Sequence, residues 1–258
     1  MAIPFPTGQQ PERICIPIPC EMKNHLAIVS ATEQEIEPFL QYLDKEATQH
    51  TFQTYQLHGL TIDVVRSGIG ILQTTNALMD YLNHRHPDVW IQAGIGGAFD
   101  HSLEPGSVYA IESEILSGFG AEDANGKIMD PFTLGWSDPD GYPYTAGRLI
   151  CPYKPAHPFS FASGMTTFYA HGHQGHIDTL RNQEHGQIEN MDGAAFFYVS
   201  LLRKIPFISL RSISNLVEER NKDRWRMNLA IEQLSASLIT LLEGARFKTP
   251  QLLNTGLG

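Results

Sequence analysis

The sequence predicts an α/β fold in which a twisted mixed β-sheet is flanked by helices. Short runs rich in β-branched residues alternate with amphipathic stretches, which is the pattern of a sheet built from β-α units. At 258 residues the chain is long enough to bury one large core. No shift in composition divides it. We therefore expect one domain over residues 25–246, between an extended N-terminal arm at 1–24 and a C-terminal tail at 247–258.

Six segments have the apolar character of buried strands, and four carry apolar residues at helical spacing. The predicted strands are Leu26–Ser30, Ile62–Ser67, Val89–Ala93, Ser107–Ile115, Phe159–Ser163 and Phe207–Ile213. The predicted helices are Glu33–Leu43, Ile71–His84, Gly193–Lys204 and Met227–Ala245. Residues 130–158 are dense in Pro, Gly and Tyr and too long for an ordinary connection, so we expect a lid, a subunit contact or a surface insertion there.

Composition narrows the class of partner. The formal net charge of -10 argues against a nucleic acid, because phosphate neutralisation needs clustered Lys and Arg. No apolar run is long enough to span a bilayer, and the first residues lack the features of a secretory signal, so we expect a cytoplasmic protein without a membrane partner. Cys15, Cys20 and Cys151 lack the spacing of a structural zinc site. We predict a small-molecule ligand and neither a metal nor another cofactor.

The loop after the first predicted strand holds a carboxylate with two interpretations. Thr32 and Glu35 have the spacing of a capping box, in which both side chains bond the first turn of the following helix. Alternatively, Glu35 is a catalytic acid or base at the carboxyl end of a strand, where open α/β sheets hold their ligands. The sequence favours neither interpretation over the other.

Two glycine-rich loops follow later strands. Glycines in Ser67–Gly70 and Gly94–Gly97 allow the backbone to approach a ligand closely. A glycine turn between a strand and a helix is common, so each loop alone is weak support for a binding site. Neither loop has the spacing of a dinucleotide-binding fingerprint or of a lysine-containing phosphate loop.

Polar groups follow two further apolar segments in the C-terminal third. Glu189 and Asp192 offer carboxylates that can accept from a pair of sugar hydroxyls. Some twenty residues on, Asn215 offers an amide that donates one hydrogen bond and accepts another. Together these groups suggest a nucleoside pocket.

Several of these segments resemble the purine nucleoside phosphorylase and nucleosidase superfamily, and within it the futalosine hydrolases. The matching segments are Ser67–Gly70, Pro87–Gly97, Gly118–Asp123, Glu189–Ala195 and Arg211–Asn215, and the similarity runs from about Leu26 to Ala245. The resemblance implies a nucleoside phosphorylase-like three-layer fold and a homodimer or larger homo-oligomer. It also implies hydrolysis of the N-glycosidic bond of futalosine, a 6-oxopurine nucleoside, with release of hypoxanthine in menaquinone biosynthesis.

The resemblance also implies roles for individual residues. Glu35 takes the position of the carboxylate that activates water, and Arg211 falls near the same water, although a structural ion pair explains Arg211 equally well. Met191 and Asp192 fall on the ribose-binding pair. The family usually has Glu at the position of Asp192, and the shorter side chain leaves a gap that a water or the backbone must close. Glu189 is a reserve candidate for the ribose contact.

The remaining implied roles concern the glycine loop and the base. Gly94 and Ile95 lie where the family binds substrate and water, and Ile95 replaces the serine with which the nucleosidases hold water. Phe168 is the candidate for stacking on the purine, although an aromatic residue after a strand is more often part of the core. The carboxylates of Glu33 and Glu35 would repel phosphate, so water is the expected acceptor rather than phosphate.

Asn215 argues for the identity of the base. A 6-oxopurine presents acceptors at both N7 and O6, and an Asn amide nitrogen can donate toward both, whereas an ionised Asp would repel them. Asn is also a routine turn residue after a strand. Two other functions therefore stay open. One is a nucleosidase for inosine or methylthioadenosine-type compounds, and the other is a purine nucleoside-binding protein without turnover.

Overall fold

The computed structural model describes residues 24–51, 53–152, 159–183 and 186–246. The predicted N-terminal arm, apart from Asn24, and the predicted tail lie outside the described residues. Elements are numbered in chain order. The strands are β1 His25–Ser30, β2 Thr48–Thr51, β3 Thr54–Leu57, β4 Leu60–Arg66, β5 Val89–Ala98, β6 Val108–Leu116, β7 Ala121–Glu122, β8 Ile128–Met129, β9 Tyr144–Thr145, β10 Arg148–Ile150, β11 Ser160–Thr166, β12 Ile188–Asn190 and β13 Phe207–Leu216. The α-helices are α1 Glu37–Glu46, α2 Gly70–His84, α3 Gln174–Gln183, α4 Gly193–Arg203 and α5 Met227–Arg246, and short 3₁₀ helices lie at Glu33–Ile36 and Lys222–Arg224.

One mixed sheet organises the described chain. Its strands run in the order β2-β3-β4-β1-β5-β12-β11-β6-β10-β9, and β13 pairs with both β5 and β6. Because of this double pairing, β5, β13, β6, β11 and β12 close into a ring. Strands β7 and β8 form a separate hairpin. The sheet is therefore open on the β1 side and closed on itself beyond β5.

Helices cover both faces of the sheet. On one face, Leu78 of α2 and Phe196 of α4 belong to a buried cluster with Trp90 of β5. On the other, Phe39 of α1 and Leu238 of α5 belong to a second buried cluster. The two clusters separate three layers, helix, sheet and helix, and the predicted three-layer α/β architecture is confirmed.

The six predicted strands and four predicted helices are all present, with corrected ends. The largest change is in β5, which continues through the glycine loop to Ala98, because β13 and β12 pair with its far end. The predicted helix at 33–43 is divided: a 3₁₀ turn ends at Ile36, and α1 begins at Glu37 with Pro38 in its first turn. Proline is tolerated there because the first N–H groups of a helix have no intrahelical partner.

The irregular segment from residue 130 extends the edge of the sheet. Strand β10 pairs with β6, and β9 pairs with β10. Tyr144 packs against Phe132 and Tyr198, with ring centroids 5.1 and 6.1 Å away, and thereby ties the segment to α4. Residues 153–158 of the predicted insertion lie outside the described residues. In the described ranges, no helix has the combined length and apolar character that crossing a membrane requires.

Trp90 gives a test of the core. Its side chain is fully buried, its indole N–H donates to Ser200 Oγ at 2.9 Å, and its ring lies 5.4 Å from that of Phe196. We expect Trp90→Ala to lower the free energy of unfolding by about 3–5 kcal/mol, because it leaves a cavity and removes the partner of a buried hydroxyl. Urea denaturation measures the change.

Trp136 supplies the matched control, since its side chain is 64% exposed. The same substitution at Trp136 should change the free energy of unfolding by less than about 0.5 kcal/mol. Equal losses in the two variants would contradict the core described here.

Candidate active site

The site lies where β5 changes partners. One edge of β5 pairs with β13 from Trp90 to Ala98. The other edge pairs with β1 only as far as Gln92 and with β12 only from Gly97. Between Gln92 and Gly97, no strand of the described residues pairs with that edge, which leaves a gap at the carboxyl end of β1. Such a change of strand pairing is where open α/β sheets bind ligands.

Glu35 fills part of this gap. Its Oε1 accepts from the backbone N–H of Ile95 at 3.2 Å, which is an amide that no strand satisfies on that edge of β5. Its Oε2 accepts from the N–H of Thr32 at 3.1 Å, as in a capping box. The two interpretations of the sequence are thus compatible, because one carboxylate oxygen caps the 3₁₀ turn and the other faces β5.

The surroundings of Glu35 favour its protonated form. Burial raises the pKa of the carboxyl above its ordinary value, and the nearby Asp192 carboxylate raises it further. Arg211 and the N–H groups of Ile95 and Thr32 oppose the shift without cancelling it. A carboxylate whose pKa is moved toward neutrality accepts a proton more readily than an exposed one.

Asp192 and Arg211 form a buried ion pair beside Glu35. Arg211 Nη2 donates to Asp192 Oδ1 at 2.5 Å, and the side chains are only 2% and 6% exposed. Arg211 lies opposite Gly94 in the β5–β13 ladder. A Cβ atom on Gly94 would lie 2.1 Å from Nη1 of Arg211 and 3.3 Å from Oε1 of Glu35. Glycine at this position therefore makes room for the guanidinium group.

Met191 lies between the Ser67–Gly70 loop and Asp192. It precedes Asp192, which is the N-cap residue of α4, and it is half-buried. Its carbonyl oxygen lies 4.0 Å from where a Cβ on Gly70 would stand. The Ser67–Gly70 loop therefore lies beside the residue that precedes Asp192.

Asn215 lies further along β5, on the paired strand β13, and Phe168 lies in the loop after β11. Asn215 pairs with Gly97, three residues from Gly94, and hence about 10 Å along β5 at ~3.3 Å per residue. Its Nδ2 donates to the Leu216 carbonyl at 2.8 Å, and its Oδ1 accepts from Ser214 Oγ at 2.8 Å. Phe168 is 57% exposed, so it is not a core residue, and its ring is free to contact a ligand.

Glu189 has a different environment from the one expected. Its carboxylate accepts from the ring Nδ1 and backbone N–H of His171 and from Thr167 Oγ1. These bonds hold the loop after β11, and they engage the oxygens that the reserve role required for ribose hydroxyls. Glu189 therefore contacts this loop, and its reserve role at the ribose stays a prediction.

Sequence reasoning missed a second buried carboxyl, that of Glu114 in β6. It contacts the Thr166 hydroxyl at 3.0 Å and accepts from the Asn190 amide at 2.8 Å, next to the start of α4. The available signal was a charged residue inside an apolar strand. Its partners lie 52 and 76 residues away along the chain, so the sequence alone could not identify them.

The fold and this cluster define an α/β protein with buried ionisable groups at a change of strand pairing. The family model described as Phosphorylase superfamily matches residues 25–243. The chain therefore belongs to that superfamily.

Curated relatives of two kinds match at the same level. A 5'-methylthioadenosine/S-adenosylhomocysteine nucleosidase of Maridesulfovibrio salexigens is 26% identical over 75% of this chain and 87% of its own length. A futalosine hydrolase of Streptomyces coelicolor is also 26% identical, over 82% of this chain and 92% of its own length. Identity therefore does not separate the two kinds of enzyme.

Solved structures agree on the fold. A Helicobacter pylori 5'-methylthioadenosine/S-adenosyl homocysteine nucleosidase superposes with a TM-score of 0.68 at 14% identity, covering 87% of this chain and all of its own. The futalosine hydrolase of the same organism gives 0.67 at 15% identity, covering 86% and 99%. Both similarities support the three-layer architecture described above.

The buried ion pair leads to a stability prediction. We expect Arg211→Met to lower the free energy of unfolding by about 3–5 kcal/mol, because Asp192 is left as an unpaired buried charge. Adding Asp192→Asn to that variant should restore part of the loss, since it removes the charge. Urea denaturation of the single and double variants measures both effects.

Arg224→Met is the control, since Arg224 is 68% exposed and pairs with Glu218 at the surface. This substitution should lower the free energy of unfolding by less than about 1 kcal/mol. An Arg211→Met variant as stable as this control would contradict the buried pair.

Proposed function

We propose that this chain hydrolyses the N-glycosidic bond of a 6-oxopurine nucleoside, with futalosine as the substrate and hypoxanthine as the released base. The observation that carries the proposal is the Glu35 carboxylate, held in the gap of β5 beside Asp192 and Arg211. A carboxylate with a raised pKa, at a gap in the strand pairing, is suited to take a proton from an attacking water. The curated nucleosidase and hydrolase relatives support an enzyme of this type.

The charges in the gap support water rather than phosphate as the acceptor. Arg66 pairs with Glu33 at 3.0 Å, and Arg211 is bound to Asp192. These arginines are therefore already neutralised by carboxylates. A phosphate ion placed beside Glu35 would therefore find an acidic side chain and no unpaired arginine among these groups, in a poorly solvated site.

Asp192 and Met191 are the proposed ribose contacts. Arg211 occupies Oδ1 of Asp192, and Oδ2 has no hydrogen-bond donor among the described residues. That oxygen is available to accept from a sugar hydroxyl. The buried ion pair also holds the Asp192 side chain in one orientation, which reduces the entropy that ribose binding would otherwise cost.

Asn215 is the proposed contact to the base. Ser214 donates to its Oδ1, so the amide nitrogen has a defined direction. One N–H donates to the Leu216 carbonyl. The second N–H has no acceptor within the described part of the chain, and we assign it to an acceptor of the purine. An amide oriented in this way favours a 6-oxopurine, whereas an ionised carboxylate at the same position would favour a 6-aminopurine.

A methylthioadenosine-type substrate is the second candidate, because a nucleosidase of that kind is as similar to this chain as the futalosine hydrolase. Incubating the protein with futalosine, inosine and methylthioadenosine, without phosphate, separates the possibilities. Chromatography of the released base should show hypoxanthine from futalosine at the highest kcat/KM. Faster release of adenine from methylthioadenosine would contradict the futalosine proposal.

Cytoplasmic location and homo-oligomeric assembly stay predictions.

Glu35→Gln tests the mechanism. The amide keeps the size of the side chain but cannot accept a proton, so we expect kcat for futalosine hydrolysis to fall by about 10²- to 10⁴-fold. Hypoxanthine binding, measured by calorimetry, should change little. Glu33→Gln, two residues away in the same 3₁₀ turn and exposed, should retain full activity. Unchanged turnover in Glu35→Gln would remove Glu35 from the water-activating role, and a wild type that binds without turnover would indicate a nucleoside-binding protein.

Asn215→Asp tests base recognition. An ionised carboxylate repels N7 and O6 of a 6-oxopurine, so we expect the ratio of kcat/KM for futalosine to that for methylthioadenosine to fall by about 10²-fold. Asn221→Asp is the matched control, because Asn221 is an exposed cap of the Lys222–Arg224 turn, where Asn and Asp serve equally well. A ratio that shifts equally in both variants would contradict the role of Asn215.

A further inference from the structure

A buried polar network holds the first turn of α4. Asn190 Oδ1 accepts from the backbone N–H of Asp192 at 3.1 Å and of Gly193 at 2.6 Å. Thr166 Oγ1 accepts from the N–H of Ala194 at 2.7 Å. These side chains satisfy N–H groups that a helix start leaves without intrahelical partners. They also fix the backbone of Asp192, the residue that pairs with Arg211.

Glu114 completes this network from β6. Its side chain is fully buried, and its hydrogen-bond partners are neutral: the amide of Asn190 and the hydroxyl of Thr166. Space is left for it on both sides. A Cβ atom on Gly164 would lie 2.0 Å from Oε1 of Glu114, and a Cβ on Gly193 would lie 2.1 Å from it. The carboxyl group thus occupies a cleft that two glycines create.

The orientation of Asn190 follows from its partners. The two backbone N–H groups of Asp192 and Gly193 require an acceptor, so Oδ1 faces α4. The amide nitrogen must then face Glu114, to which it donates. Reversing the amide would place its NH2 group against the two N–H donors of α4 and its carbonyl oxygen against a carboxyl oxygen of Glu114.

The number of hydroxyl and carboxyl protons available in the network then determines whether Glu114 is protonated. Thr166 has one hydroxyl proton and three neighbours: the N–H of Ala194, which donates to it, Asn190 Oδ1 at 3.0 Å, and Glu114 Oε2 at 3.0 Å. An ionised Glu114 would take that proton and leave two acceptor oxygens, those of Thr166 and Asn190, in contact without a hydrogen. A protonated Glu114 donates to Thr166, which donates to Asn190, and every contact then has a proton.

We infer that Glu114 is a positioning residue that acts as a neutral carboxylic acid, donating to Thr166 and accepting from Asn190, and so fixes Asp192 toward Arg211. The inference deepens the proposed function and rests on it for the substrate, because Asp192 is the proposed ribose contact. The protonation of Glu114 itself does not depend on which nucleoside is cleaved.

Electrostatics agree with this assignment. Burial raises the pKa of Glu114 to about 8, which leaves the group mostly protonated at pH 7. The charged groups that face it are Arg211 on β13, which lowers the pKa, and Asp192 at the start of α4, which raises it. Asn190 and Thr166 carry no charge.

Infrared spectroscopy tests the protonation directly. At pH 7 the difference spectrum between wild type and Glu114→Gln should contain the carbonyl band of a protonated carboxyl group. The exposed Glu122→Gln variant should lack that band against wild type. Only a carboxylate band for Glu114 would overturn the inference. So would a Glu114→Gln variant that does not fold, because an amide supplies the same donor and acceptor.

The pH dependence of stability gives a second readout without substrate. The pKa of Glu114 in the folded state lies above that of an unfolded Glu. The stabilisation that protonated Glu114 gives the folded state is therefore fully present below about pH 4.5 and is lost as the pH rises toward about 8. Between those limits the folding equilibrium constant of wild type should fall relative to that of Glu114→Gln by up to about tenfold per pH unit. Parallel pH profiles would overturn the inference.

The positioning role needs an activity readout, made with whichever nucleoside the protein cleaves. Glu114→Ala should raise KM by about tenfold, since the ribose contact loses its fixed orientation, and Glu114→Gln should recover most of that loss. Equal defects in the two variants would overturn positioning by a neutral carboxyl. Absence of any nucleosidase activity, with the infrared band present, would instead count against the proposed function.

Discussion

The hydrogen bond from the Ile95 amide to the Glu35 carboxylate is the interaction on which the site depends. Strand β5 is shared between an open sheet and a closed ring, and it must leave one strand before it reaches the next. A backbone N–H in that interval needs an acceptor. Glu35, in the 3₁₀ turn after β1, provides this acceptor. The change of strand partners therefore leaves the Ile95 N–H unpaired and also explains why an acidic side chain lies in the gap. The hydrogen bond between Ile95 and Glu35 thus connects the strand topology to the proposed catalytic residue.

Three ionisable groups surround that contact, and their balance explains why they can be buried. Asp192 and Arg211 neutralise each other, which leaves Glu35 as the group whose charge is least compensated and whose pKa is raised. Glu114 is kept neutral by the proton count of its own network. The region therefore avoids an excess of buried negative charge. Glycines at 94, 164 and 193 leave the volume that these side chains occupy.

Much of the fold could be predicted from the sequence, because six strands and four helices carry periodic apolar patterns and their alternation indicates parallel pairing. Glu35 and Asp192 could be grouped because each follows an apolar segment, whereas Arg211 lies inside β13 and could be grouped with them only through the family resemblance. The hydrogen-bond partners of Glu189 could not be predicted, since they include a histidine in a loop eighteen residues away. The extent of β5 and the role of Glu114 were also beyond prediction. The extent of β5 depends on pairing with β12 and β13, and the contacts of Glu114 depend on β11 and β12, and distant pairing of this kind leaves no local signal.

The central claim is that one ligand contacts Glu35 and Asn215 from the same gap in β5. A crystal structure with a 6-oxopurine C-nucleoside, whose glycosidic bond cannot be hydrolysed, tests this most directly. The account predicts the base against the Asn215 amide, the ribose hydroxyls on Asp192, and an ordered water between Glu35 and the anomeric carbon. A nucleoside bound elsewhere, or bound with Glu35 out of reach of the sugar, would contradict it.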